Sequence, residues 1–132
     1  EAYKTEDAKE VIVLAGSTAG TAKDVVDALR KEGKKVGLLK ISLFRPFPRA
    51  EILKALKSAT RIAVMERAVS SGTYPPMYSD IVAGLYQTGE KKKIQSIIYS
   101  LGGRDIFAKD IKGIFEDMIK DKINKEIKYI GV

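Results

Sequence analysis

The sequence predicts an α/β domain, a sheet with helices packed on its faces, and three observations point there. Four short apolar runs alternate with four helical patterns, the signature of strand and crossover helix in turn. The second run, with Val36, Leu38, Leu39 and Ile41, is of the kind that fills a strand buried on both faces of a parallel sheet. At 132 residues the chain is long enough for one domain that buries roughly two thirds of its unfolded surface.

Taken in order, the first strand covers residues 11–15 and hands over to a helix at about 21–31. Ala22, Val25, Val26 and Leu29 form its inner stripe, Thr21 and Asp24 resemble a capping box, and Gly33 stops it. The second strand covers 36–41. Its helix, at about 48–58, opens on Pro48, carries Glu51 in the first turn and buries Ile52, Leu53 and Leu56. The third strand, 62–65, leads to a helix at about 76–87 with Met77, Ile81, Val82 and Leu85 on one face. The fourth, 94–99, precedes a helix at about 109–125 in which Ile111, Ile114, Phe115, Met118, Ile119 and Ile123 share a stripe. Gly113 inside that helix costs about 1 kcal/mol relative to alanine, so a close neighbour is expected there. Residues 127–132 form a short edge strand or lead into a further domain, and 1–9 are expected to be a linker from a preceding one. The whole is one domain, and a first residue other than Met suggests excision from a longer polypeptide.

Composition narrows the chemistry. The chain has no Cys, which removes disulfides, thiolate nucleophiles and cysteine-ligated iron–sulfur clusters from this chain. It has no His, which removes the usual general base and the commonest transition-metal ligand. No catalytic or metal-ligating set is therefore expected, and the isolated chain should be inactive. Twenty-four Lys and Arg against seventeen Asp and Glu give a net charge of +7. The lysines are interleaved with acids, apart from Lys91-Lys92-Lys93 after Gly89, so a solvated surface explains them better than nucleic acid. Richness in Lys, Glu and Ile with few amides fits heat-adapted proteins. No apolar stretch reaches membrane-spanning length and no export signal is visible, so the cytoplasm is the expected compartment.

Motifs gather where strands end. Ile41-Ser-Leu-Phe-Arg-Pro-Phe-Pro48 closes the second strand in a stiff elbow, because two prolines fix φ near −65° and restrict Arg45 and Phe47 before them. Such an elbow presents Arg45 and Phe47 to a partner or an anion; plugging the core end with Phe44 and Phe47, and pairing Arg45 to a carboxylate, accounts for the same residues. Gly16-Ser17-Thr18-Ala19-Gly20 lies between first strand and first helix, where backbone amides could take a phosphate. It meets neither the GxGxxG nor the P-loop pattern, and a tight turn needs the same small residues. Glu66 and Arg67 follow the third strand, with a Glu66–Arg45 pair one possible arrangement. Gly102, Gly103 and Arg104 follow the fourth. Three strand ends with an arginine close behind predict an anionic surface or a partner subunit facing that edge.

Val-Leu-Ala-Gly-Ser-x-Ala-Gly-Thr at 13–21, Leu-Phe-Arg-Pro-Phe-Pro at 43–48, Glu66-Arg67 and Leu-Gly-Gly-Arg-Asp at 101–105 together resemble the second domain of pyruvate:ferredoxin oxidoreductases, the C-terminal part of the α subunit in split enzymes. Tyr74-Pro75-Pro76 departs from the glycine-rich loop of many relatives. The resemblance implies a transketolase C-terminal-like fold: three layers, α/β/α, around a mostly parallel sheet with one antiparallel edge strand. It implies a holoenzyme that oxidatively decarboxylates pyruvate, using thiamine diphosphate, Mg2+, coenzyme A and iron–sulfur clusters, and that reduces ferredoxin. Those cofactors belong mainly to other domains and subunits, none being bound by this domain alone, which leaves it a structural and assembly role. The rival readings are a C-terminal domain of a transketolase or dehydrogenase E1 component and a small anion- or nucleotide-binding regulatory module.

Overall fold

A computed structural model describes residues 1–15, 19–41, 49–67, 76–89, 91–99, 108–124 and 126–130. The elements are β1 (Ala2–Tyr3), β2 (Glu10–Ala15), α1 (Ala19–Lys31), β3 (Val36–Ile41), α2 (Arg49–Ala55), β4 (Arg61–Arg67), α3 (Pro76–Thr88), β5 (Lys93–Tyr99), α4 (Ala108–Ile119) and β6 (Lys128–Tyr129). They build one six-stranded sheet in the order β1-β3-β2-β4-β5-β6, in which β1 alone runs antiparallel. This is the three-layer α/β/α arrangement with one antiparallel edge strand.

The core lies in two layers because the inner strands have no polar face. Ile12, Leu14, Leu38, Ala63, Met65, Ile97 and Tyr99 pack under α1 and α4, around a fully buried Phe115. Val11, Val13, Leu39, Ile62 and Val64 pack under α2 and α3, against Ile52, Leu56, Ile81 and Leu85. Each fully buried side chain of this size stabilises the fold by about 1.5–3 kcal/mol relative to exposure. The β4–α3–β5 and β5–α4–β6 connections advance the same way along the sheet on opposite faces, so they have opposite hands. The rule of right-handed crossovers therefore yields at β6, whose pairing with β5 is only two residues long.

The helix ends show why some boundaries moved. Helix α1 starts at Ala19, so Thr21 lies inside it and is not its cap. It ends in a Schellman motif: the Lys34 amide donates to the Leu29 carbonyl at 3.1 Å, the Gly33 amide to Arg30 at 3.0 Å, and Gly33 has φ +85°. Helix α4 stops at Ile119, short of the expected Lys125, by the same device. There the Lys122 amide donates to Asp117 at 2.7 Å and the Asp121 amide to Met118 at 3.0 Å, with Asp121 at φ +59° taking the place glycine usually fills. Ile123 still reaches the core from the segment beyond the helix. Helix α2 ends at Ala55, before the expected Ser58, whose hydroxyl instead donates to the Thr5 and Ala8 carbonyls at 2.9 and 3.0 Å.

Among the described residues, nothing beyond its own helix turn lies within 4 Å of where a Cβ on Gly113 would sit, so no close neighbour accounts for this glycine. With no packing reason for glycine, Gly113→Ala is expected to raise unfolding free energy by about 0.4–1 kcal/mol, read as a higher urea midpoint. Ser96 is fully buried on β5 and its hydroxyl has no partner among the described residues. Ser96→Ala should therefore be neutral or stabilise by up to about 1 kcal/mol in the same assay.

Candidate functional site at the carboxyl edge of the sheet

Because β2, β3, β4 and β5 are parallel, Ala15, Ile41, Arg67 and Tyr99 all end at one edge. The chain leaves β2 toward β3 over the α1 and α4 face, and leaves β4 toward β5 over the α2 and α3 face. The two routes diverge between β2 and β4, and in open α/β sheets this switch point is where ligands and partners are received. Glu66 and Arg67 close β4 beside it.

Glu66 is the chemically informative side chain among them. The Met77 amide donates to its Oε1 at 3.0 Å and the Tyr78 amide to its Oε2 at 3.4 Å. Helix α3 has no acidic residue in its first turn, so a carboxylate from the neighbouring strand does what a local cap would otherwise do. Its charge also faces the positive end of the helix dipole. Burial nonetheless holds the Glu66 carboxyl above the usual carboxylate range; the two amides oppose that rise and the nearby Asp80 carboxylate adds to it. The folded state thus takes up a proton before the unfolded state does as pH falls. Glu66 then contributes stability that grows on acidification through the folded pKa and levels off below the unfolded one, near pH 4. Glu66→Gln should abolish that rise while keeping one acceptor, whereas Glu66→Ala should cost about 1 kcal/mol at neutral pH by uncapping α3; urea titrations across pH measure both.

Of the other sequence-derived candidates, Gly20 lies exposed in the first turn of α1, and among the described residues nothing beyond its own helix turn lies within 4 Å of a Cβ placed there. Arg67 ends β4 as backbone. Gly16, Ser17, Thr18, Arg45, Phe47, Gly102, Gly103 and Arg104 lie outside the described residues, and so does the elbow at 42–48. Glu66 is engaged by α3, a partner eleven residues on that no local motif announced. The opposite end of the domain carries a surface cavity of about 470 Å³ lined by Ala2, Lys4, Thr5, Glu6, Asp7 and Arg30. Its cations are already engaged: Arg30 Nη2 meets Asp7 at 2.8 Å and Lys4 Nζ meets Asp27 at 3.0 Å.

Three further sets of residues hold the edges and gave no signal in the sequence. Tyr3 donates its hydroxyl to Asp27 at 2.7 Å, with the Lys4 and Lys23 ammonium groups 5.3 and 5.4 Å from its ring centre. Arg61 on β4 joins Glu10 on β2 and Asp121 after α4, each at 3.0 Å. Gln95 ties β5 to the Glu126 carbonyl at 3.2 Å. Among the described residues no group of three Asp, Glu, His or Cys side chains could hold a metal ion, and no helix is long and apolar enough to cross a membrane. Among the described residues of this edge, Glu66 is engaged in fixing the start of α3.

Residues 8–111 match the family described as pyruvate:ferredoxin oxidoreductase core domain II. The chain is 44% identical over its whole length to pyruvate synthase subunit PorA of Thermotoga maritima, covering 34% of that subunit. It is 43% identical over 94% of its length to ketoisovalerate oxidoreductase subunit VorA of Pyrococcus horikoshii, covering 32% of it. It spans about a third of the length of these relatives. Among solved structures, the 2-oxoglutarate:ferredoxin oxidoreductase of Magnetococcus marinus, determined with 2-oxoglutarate, coenzyme A and succinyl-CoA bound, superposes with a TM-score of 0.65 at 22% identity, over 90% of this chain and 19% of that one. A flavo di-iron protein of Thermotoga maritima shares the fold alone, with a TM-score of 0.58 at 13% identity over 89% of this chain and 37% of that one.

Proposed function

The chain belongs to the pyruvate:ferredoxin oxidoreductase core domain II family, and from that premise we propose that it is the assembly domain of the α subunit of a 2-oxoacid:ferredoxin oxidoreductase. Family membership displaces the transketolase and dehydrogenase E1 alternatives. The observation that carries the proposal is the end-to-end correspondence with an oxidoreductase subunit, 44% identical across the entire chain. Our reading is that the holoenzyme decarboxylates pyruvate, conserves the acyl group on coenzyme A and passes electrons to ferredoxin in the cytoplasm. Thiamine diphosphate with its Mg2+, and the iron–sulfur clusters, would sit on other domains and subunits. A chain without Cys does not fit a cysteine-ligated cluster, and one without His lacks the common proton shuttle.

Substrate choice is a separate matter. Identity to the pyruvate and ketoisovalerate relatives is nearly equal, at 44% and 43%, which supports a domain that serves either acid and does not select between them. The test is reconstitution of the full-length α subunit with its partner subunits. Ferredoxin reduction dependent on a 2-oxoacid and coenzyme A is expected, lost when this domain is removed and absent from the isolated chain. Turnover by the isolated chain, or unimpaired turnover without the domain, would sink the proposal. A panel of pyruvate, 2-oxoisovalerate and 2-oxoglutarate then names the substrate.

A further inference from the structure

We propose that the outer face of α3, centred on Val82, Ala83 and Tyr86, is the seat on which the rest of the α subunit packs; this rests on the reading just given. Helix α3 differs in kind from the other long helices. Its thirteen residues include one charged side chain, Asp80, whereas the thirteen of α1 and the twelve of α4 each include five. Tyr78, Ile81 and Leu85 face the core, and Ser79, Val82, Ala83 and Tyr86 follow one another at helical spacing on the opposite, exposed side. Val82 is 37% exposed and Tyr86 is 86% exposed.

Such a stripe is out of place on a chain in which 31% of residues are charged, unless something covers it. Protein interfaces have cores poor in charge and rich in tyrosine, and a single ring seated in a pocket often dominates their energy. The seat is also firm. Glu66 fixes the start of α3, and Gly84 lets α2 approach so closely that a Cβ there would lie 3.3 Å from both methyls of Leu53. The occupant follows from length. The chain matches 34% and 32% of its two relatives, so some two thirds of such a subunit lies outside the matched part and must pack somewhere. The exposed sides of α1 and α4 carry charges such as Asp24, Lys31, Lys112 and Glu116, which do not suit the core of a contact between domains. The covering surface should be uncharged, with a pocket for the Tyr86 ring and an acceptor for its hydroxyl.

Nitration of Tyr86 by tetranitromethane, followed by mass spectrometry, tests this without relying on activity. In the full-length α subunit, alone and in the holoenzyme, Tyr86 is expected to react roughly tenfold more slowly than N-acetyltyrosinamide, because a closed interface excludes water and reagent. That protection should not depend on protein concentration. Reaction at the rate of the free amino acid derivative overturns the proposal; so does protection that appears only on concentrating the subunit, which would indicate a second copy, or only on adding partner subunits. As a second readout, Val82→Asp with Tyr86→Asp should lower the melting temperature of the full-length subunit, while Lys112→Asp on α4 leaves it unchanged; equal effects from both overturn the assignment. If the wild-type holoenzyme oxidises no 2-oxoacid, the functional reading fails and the nitration result stands by itself.

Discussion

Arg61→Ala is expected to lower the unfolding free energy by about 2–4 kcal/mol, seen as a fall in urea midpoint at constant slope. The reason lies at the amino end of the sheet, where Glu10 of β2 stands beside Arg61 of β4 in register. Glu10 is only 6% exposed, and its Oε2 lies 3.0 Å from Arg61 Nη1. Removing the guanidinium leaves a nearly buried carboxylate without its cation, and that desolvated charge, more than the lost attraction, sets the cost. Arg61 remains 28% exposed, so water repays part of it. A double-mutant cycle separates the two contributions: Glu10→Gln with Arg61→Ala should recover most of the loss, since the group left behind is then neutral. If the double variant is as unstable as Arg61→Ala alone, the damage comes from Asp121, which Arg61 and Lys93 share at 3.0 and 2.7 Å.

The same network gives a sign for acid. Lys93 and Arg61 hold the Asp121 carboxyl below the usual carboxylate range, Tyr3 and Lys4 do so for Asp27, and Arg30 for Asp7. Their contribution is full above the unfolded carboxylate pKa, near 4, and is lost as pH falls through the lower folded values. Glu66 works in the other direction, so the pH–stability curve should show a gain in mild acid before the loss in stronger acid. Glu66→Gln should remove the gain and spare the loss.

How much of this could be read beforehand depends on where each signal is stored. The four inner strands are buried on both faces, which makes them predominantly apolar, Gln95 and Ser96 of β5 aside, and any reading of hydrophobicity finds such runs. The parallel order, and with it the common edge that collects the strand ends, follows from the alternation with helices. β1 escaped because two residues carry no pattern: Ala2 and Tyr3 become a strand only because β3 offers them a free edge, and they look like linker until then. The end of α4 escaped because Asp121 is an ordinary helix residue until its positive φ is seen, and because Ile123 keeps the apolar stripe alive past the true end. At the candidate site, the sequence alone puts Glu66 at the end of a strand, and β4 does end there. Its partners on α3 are not legible, because a backbone amide belongs to every residue and advertises nothing. Gly113 is the converse case: glycine announces that no side chain is present, and only the surrounding space says whether one would fit.

Gly37 is the position where that distinction has its largest effect. It sits inside the apolar run of β3, opposite Val11, and nothing in the run sets it apart. A glycine in mid-strand normally costs about 0.5–1 kcal/mol relative to alanine, so ordinary expectation is that Gly37→Ala stabilises. The packing predicts the reverse. After Tyr3 the chain turns through Lys4 at φ +55° and crosses the face of β3 where the Gly37 side chain would be. An added Cβ would lie 2.7 Å from the Lys4 carbonyl oxygen and 3.0 Å from the Ala8 Cβ. Backbone, unlike a flexible side-chain tip, yields only by moving the segment. That carbonyl also accepts from Arg30 Nη2 at 2.7 Å, so displacing it strains the tie between α1 and the residues entering β2. Gly37→Ala is therefore expected to destabilise by about 1–3 kcal/mol and Gly37→Val by more, with hydrogen exchange at Tyr3 and Lys40 accelerating before the rest of the sheet as β1 detaches. A higher urea midpoint for Gly37→Ala would mean that the Lys4–Ala8 segment does not lie across β3 at all, and the antiparallel edge would lose the close contact that seats it.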